Sequence, residues 1–137
     1  MIMYIAHIAS GSKYHLYERT EKRVGQVTRY VSTLPEADER QVIALFRFIL
    51  ENGLPMNKEK FRHIGDQIYE LKTRRGIRIL GFSGSPLLQD TLILTHGLRK
   101  PKQKVLMREK EKTIRWRNEY FRVANKMNNF HIIEGES

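Results

Sequence analysis

Three apolar stretches in the second half of the chain most constrain its fold. Ile68-Tyr69-Glu70-Leu71-Lys72 and Ile77-Arg78-Ile79-Leu80 both read as strands, and Arg74-Arg75-Gly76 between them is too short for anything but a tight turn. Thr91 to His96 is a third strand, rich in β-branched residues, and Gly97 marks its expected end. Strands that follow one another through short turns pair antiparallel. Helical spacing surrounds them. Val24, Val27, Val31 and Leu34 recur along one helix, and Pro35-Glu36 opens a second. The buried stripe of that second helix is expected at Val42, Leu45, Phe46 and Ile49, with Asn52-Gly53 and Pro55 ending it. From Gln103 to about Asn125 a third helix carries Met107, Ile114 and Phe121 as an apolar seam. Tyr14 to Tyr17 alternates as a short strand. The order strand, helix, helix, three strands, helix predicts an α+β fold with an antiparallel sheet and helices on one face.

A chain of 137 residues is one domain's worth. Ser10-Gly11-Ser12 reads as a joint, so residues 1–12 are expected to be a loose extension, 13–126 the folded domain and 127–137 a flexible tail. There is no cysteine, which excludes disulfides, thiolate metal sites and a cysteine nucleophile. No apolar run approaches the roughly 20 residues that cross a bilayer, and the first residues lack the basic flank of a signal peptide. No membrane contact and a cytoplasmic location are the expectation.

The net charge of +10 is unevenly placed. Residues 1–57 hold 7 basic and 6 acidic side chains, whereas 58–126 hold 18 and 7. Such a field fits a polyanionic partner, nucleic acid first. The five histidines have no metal-ligand spacing, and Gly81-Phe82-Ser83-Gly84-Ser85 lacks the lysine of a phosphate-binding loop. No metal and no cofactor are expected.

The chemistry-bearing residues fall on neighbouring elements. Lys72 ends one strand, Arg78 begins the next, His96 ends the third, and Arg99, Lys100, Lys102 and Lys104 follow. Strands paired in order bring these to one end or one face of the sheet, where they can neutralise phosphates. They can also cut RNA without a metal. The 2′-hydroxyl is the nucleophile, so cleavage needs a base, an acid and fixed positive charge on the phosphate. Histidine suits the proton steps and arginine grips phosphate bidentately. Tyr69 and Tyr120 are candidates to stack on unpaired bases. The same residues also suit plainer roles: His96 as a structural strand end, Lys72 and Arg78 as charges that discourage edge pairing, and the aromatics as packing.

Taken together, Ile68-Tyr69-Glu70-Leu71, then Ile77-Arg78-Ile79-Leu80, then Leu94-Thr95-His96-Gly97-Leu98-Arg99-Lys100 and the basic helix from Lys104 resemble the phage-derived HigB-like branch of the RelE/ParE toxin superfamily. The Leu34-Pro35 helix start and the Asn52-Gly53-Leu54-Pro55 stop fit as well, so the resemblance spans roughly Lys13 to Arg122. It implies two N-terminal helices on a twisted antiparallel sheet with a basic C-terminal helix. It implies a type II toxin, ribosome-dependent cleavage of messenger RNA without a metal, and a HigA-like antitoxin with a helix-turn-helix domain, joined to the toxin in a hetero-oligomer. By matching positions, Arg78, His96 and Lys100 become the catalytic candidates. Lys72, Arg74, Arg75, Arg99, Lys102, Lys104 and Arg108 become nucleic-acid contacts, with Tyr69 for base stacking. One departure stands out: the arginine-led strand of that branch carries an aromatic near its centre, where this chain has Leu80-Gly81. A gyrase poison of the ParE type and a non-catalytic basic nucleic-acid-binding module are the competing functions.

Overall fold

The computed structural model describes residues 4–127 and 131–133. Two strands open the chain: β1 (Tyr4–Ser10) and β2 (His15–Glu21) form an antiparallel hairpin. A two-residue strand, β3 (Val24–Gly25), leads into α1 (Gln26–Ser32), and α2 (Glu36–Asn52) follows. Then β4 (Phe61–His63), β5 (Ile68–Lys72), β6 (Ile77–Ser83) and β7 (Thr91–Arg99) run consecutively into α3 (Gln103–Met127). A last strand, β8 (His131–Ile133), pairs with Tyr4–Ala6.

The α+β class and the central hairpin match the sequence reading. Thr73 and Ile77 close the hairpin through Thr73 N–H to Ile77 C=O at 2.9 Å, and Gly76 takes the positive φ of 98° that the turn requires. The start of α2 also matches: Pro35 precedes a first turn holding Glu36, Asp38 and Glu39, acids where the helix dipole favours them.

The sheet corrects three expectations. Within the expected loose extension of 1–12, Tyr4–Ser10 is a strand that pairs with β2 on one side and β8 on the other, and residues 1–3 lie outside the described residues. Ser10-Gly11-Ser12 is the bend of that hairpin, with Gly11 N–H donating to Tyr14 C=O at 3.0 Å. The sheet is mixed: its order is β4-β5-β6-β7-β2-β1-β8, and β2–β7 and β1–β8 are parallel. The first two helices carry the chain from β2 to the far edge, and β4 to β7 walk back until β7 lies beside β2. A parallel pair needs such a crossover. Within the expected tail of 127–137, His131–Ile133 is a strand; residues 128–130 and 134–137 lie outside the described residues.

Helices cover both faces. Leu92 and Leu94 join Val27, Val42 and Ile49 under the first two helices, while Ile93 between them joins Ile5, Phe82 and Tyr120 under α3. Alternate strand residues point to opposite faces, so a single strand feeds both cores. The seam of α3 is displaced by one position from the expected Met107, Ile114 and Phe121. Leu106, Thr113, Tyr120, Val123 and Ala124 are the buried set, Ile114 and Phe121 pack half-buried against the same core, and Met107 is exposed. Thr113 hid this register, because a threonine does not read as core until its hydroxyl finds Thr95 and the Glu109 carbonyl. Tyr120 is therefore a packing residue and not a surface for bases. Among the described residues no helix is long and apolar enough to cross a membrane.

Candidate functional site

A bulge in β7 builds the site. Leu80 of β6 stands opposite His96, but Gly81 stands opposite Leu94, so Thr95 is an extra residue. Such a bulge re-aims the side chains around it. Ile77 and Ile79 belong to the core under the first two helices, so Arg78 and Leu80 face α3. Their partners Leu98 and His96 share that face. Thr95, freed by the bulge, also reaches α3, with its hydroxyl 3.3 Å from that of Thr113. Arg78 and His96 are thus diagonal neighbours on one face of two adjacent strands.

Arg78 is held by a buried acid. Glu70 on β5 has no exposed surface, and Arg78 Nη1 donates to its Oε2 at 2.9 Å. Arg62 on β4 donates to Oε1 through Nε at 2.9 Å and Nη2 at 2.8 Å. A buried carboxylate without such partners would be prohibitively costly. Two guanidiniums on one carboxylate leave a surplus positive charge facing outward. Lys72 is the register partner of Arg78 on β5.

His96 is engaged at both ring nitrogens. Nε2 lies 3.0 Å from Glu109 Oε1 on α3, and Nδ1 lies 2.9 Å from the Thr95 hydroxyl. Its edge meets the Trp116 ring at 5.3 Å, and the Arg19 guanidinium stacks on that ring at 4.0 Å. Burial pushes the His96 pKa below its ordinary value, and the Glu109 carboxylate restores only part of the loss. Burial pushes Glu109 upward, but His96 and Lys112 outweigh it and hold Glu109 below the usual carboxylate range. His96 is therefore neutral at pH 7 beside an ionised Glu109. A depressed histidine pKa means the unfolded chain takes up the proton first as pH falls. The stability from neutral His96 is present above about pH 6.5 and is lost progressively below it. Replacing His96 with glutamine should flatten the stability profile below about pH 6.5, measured by urea denaturation at a series of pH values. A variant profile as steep as the wild type would contradict this.

Other sequence candidates are placed elsewhere. Arg75 and Arg99 converge on Asp38 of α2, from the face opposite α3; Arg75 Nε lies 2.7 Å from Oδ1, and Arg99 Nη2 bonds Oδ2. Hydrogen bonds from Arg99 and then Arg75 hold the Asp38 carboxyl below its usual range. These two arginines staple the hairpin and the end of β7 to α2. The strand runs past Gly97 to Arg99, and Lys100 N–H donates to Gly76 C=O at 2.7 Å while its stem lies over Gly76. Arg74 lines a groove of about 300 Å³ beside α2 with Lys60, Lys72 and Phe48. Lys102, Lys104 and Arg108 are exposed at the start of α3. Tyr69 stacks on Phe61 at 5.1 Å and meets His63 at 5.0 Å.

Sequence reasoning missed Arg62, Glu70 and Glu109 as parts of this site. The alternation of Glu70 with Lys72 was the available signal for Glu70. Nothing in the sequence marks the three-residue β4 that carries Arg62. Among the described residues no group of three or more histidine and acidic side chains is arranged to hold a metal ion.

A family described as phage-derived protein Gp49-like (DUF891) has a model that matches residues 29–118, the larger part of the chain. That span contains Glu70, Arg78, His96 and Glu109. No curated protein matches the chain.

Proposed function

We propose that this chain, which belongs to the Gp49-like family of phage-derived proteins, is the toxin of a type II toxin–antitoxin pair and cuts messenger RNA on the translating ribosome. The observation that carries this is the shared face of Arg78 and His96, each fixed by an acidic partner. In this reading the RNA 2′-oxygen attacks the adjacent phosphorus, the bond to the 5′-oxygen breaks, and a 2′,3′-cyclic phosphate forms. Arg78 holds the phosphate, whose charge is crowded in the transition state. In this reading Nε2–H of His96 donates to Glu109, so Nδ1 takes the 2′-hydroxyl proton after exchanging its Thr95 hydrogen bond for the substrate hydroxyl, and Glu109 stabilises the imidazolium that forms. The leaving 5′-oxygen takes its proton from water, and Lys100, held over the hairpin turn at Gly76, adds positive charge for the RNA backbone beyond the Arg78–His96 face. No bound metal is needed for these steps.

The start of α3 supports a polyanion at this end of the molecule. Its first turn has no acid and contains Lys104, and Lys102 immediately precedes it. Cations there oppose the helix dipole, at a cost of about 0.3–1 kcal/mol each. Phosphates bound at this end would offset that cost. In this reading the neutralising partner is an antitoxin with a helix-turn-helix domain.

Purified protein added to a cell-free translation reaction, followed by primer extension on the message, tests the reading. Cuts are expected only where ribosomes are translating. An uncut message with normal protein synthesis overturns it and directs attention to DNA gyrase.

A further inference from the structure

Glu70 does more than neutralise Arg78. It lies on β5, between β4 and β6, and takes one guanidinium from each side. Arg62 and Arg78 are thereby fixed on neighbouring positions of one face, with Glu70 buried beneath them. Arg62 spends Nε and Nη2 on Glu70, which leaves Nη1; its side chain is 41% exposed. Arg78 spends Nη1, which leaves Nη2, and its Nε is buried without a hydrogen-bond partner among the described residues. Each guanidinium therefore keeps donors in hand, and its rotamer is already ordered. Binding to such groups costs little further conformational entropy. Guanidiniums so arranged are suited to phosphate oxygens. β4 is the edge of the sheet, so nothing in the sheet lies beyond Arg62.

We propose that single-stranded RNA crosses the sheet from β6 toward β4, with Arg78 on one backbone phosphate and Arg62 on the neighbouring one. Glu70 is the positioning residue for both. This rests on the reading that Arg78 takes a phosphate of RNA, and it adds the direction of the strand and a second contact that does no chemistry. The β4 edge is then the exit of the bound strand.

The test uses binding alone. A short single-stranded 2′-O-methyl RNA has no free 2′-hydroxyl and cannot be cut by its own nucleophile. Its affinity is measured by fluorescence anisotropy over a range of salt concentrations. Each phosphate contact contributes about 0.7 to the slope of log affinity against log salt for a single strand. Arg62→Ala should lower that slope by about 0.7. Arg62→Gln, which keeps a hydrogen bond for Glu70, should do the same and serves if the alanine variant does not fold. Arg40→Ala removes an equal charge from the exposed surface of α2 and should leave the slope unchanged. A slope unaltered in both Arg62 variants overturns the proposal. So does an equal fall in Arg40→Ala, or a wild type whose binding does not depend on salt. Cleavage plays no part in this measurement, so failure of the nuclease reading and failure of the RNA path are told apart.

Discussion

If the chain cuts messages as proposed, replacing Arg78 with alanine is expected to slow that cleavage by roughly 100- to 1000-fold, the usual loss when one fixed donor to a transition-state charge is removed. The fold should survive. Glu70 keeps both hydrogen bonds from Arg62, so its buried carboxylate retains a partner. The lost bond to a charged group is worth about 1–2 kcal/mol, discounted for the exposed part of the guanidinium. Arg78→Lys should recover only part of the rate, because an ammonium keeps the charge but loses the planar fork. Single-turnover cleavage on programmed ribosomes gives the rate, and urea denaturation gives the stability. Full cleavage by a folded Arg78→Ala protein would remove this residue from the mechanism. A loss of cleavage together with a loss of the cooperative urea transition would point to misfolding instead.

The hairpin that carries Arg78 was legible because local patterns specify it. Alternation set the strands, a glycine set the turn, and no distant contact was needed. The limits of α2 were legible for the same reason, with Pro35 before it, Asn52 as its last residue and Gly53 after it. Local pattern says nothing about which strands meet at long range. Tyr4–Ser10 lies between two strands and has Ile5 and Ala6 buried in succession, so it lacks the alternation of a half-exposed strand. Charge patterning proved ambiguous in a related way. Arg75, Arg78 and Arg99 were all expected to meet nucleic acid, Arg78 at the reacting phosphate and the other two along the backbone. The pleat sends Arg99 to Asp38 on one face and Arg78 to Glu70 on the other, and only the pairing register distinguishes them. Glu109 was hidden by its setting among basic residues on a long helix, where any carboxylate reads as an exposed salt-bridge partner. Its burial against His96 depends on how α3 is rotated, and the apolar seam had placed that rotation one residue off.

Gly81→Ala should destabilise the protein by about 3 kcal/mol and lower its melting temperature by roughly 10 °C. A Cβ at this position would stand 2.6 Å from the Ile93 carbonyl oxygen and 3.0 Å from the Leu94 Cα. Both belong to the backbone of β7, which cannot swing aside as a flexible side chain would. That backbone is held by β6 on one side and, at the same residues, by Tyr17 and Glu18 of β2 on the other. Gly81 sits where the bulge brings the two strands out of step, so relief would have to come from the bulge itself. Thr95 and His96 would move with it, and cleavage should fall at temperatures well below the melting point. This close approach also accounts for the departure at Leu80-Gly81. An aromatic at 81 has no room, and Phe82 is fully buried against Tyr120 and Phe121, out of reach of a base. Thermal denaturation followed by circular dichroism measures the effect. A Gly81→Ala protein melting within a degree or two of the wild type would show that the bulge yields freely, and the fixed placement of His96 would lose its structural basis.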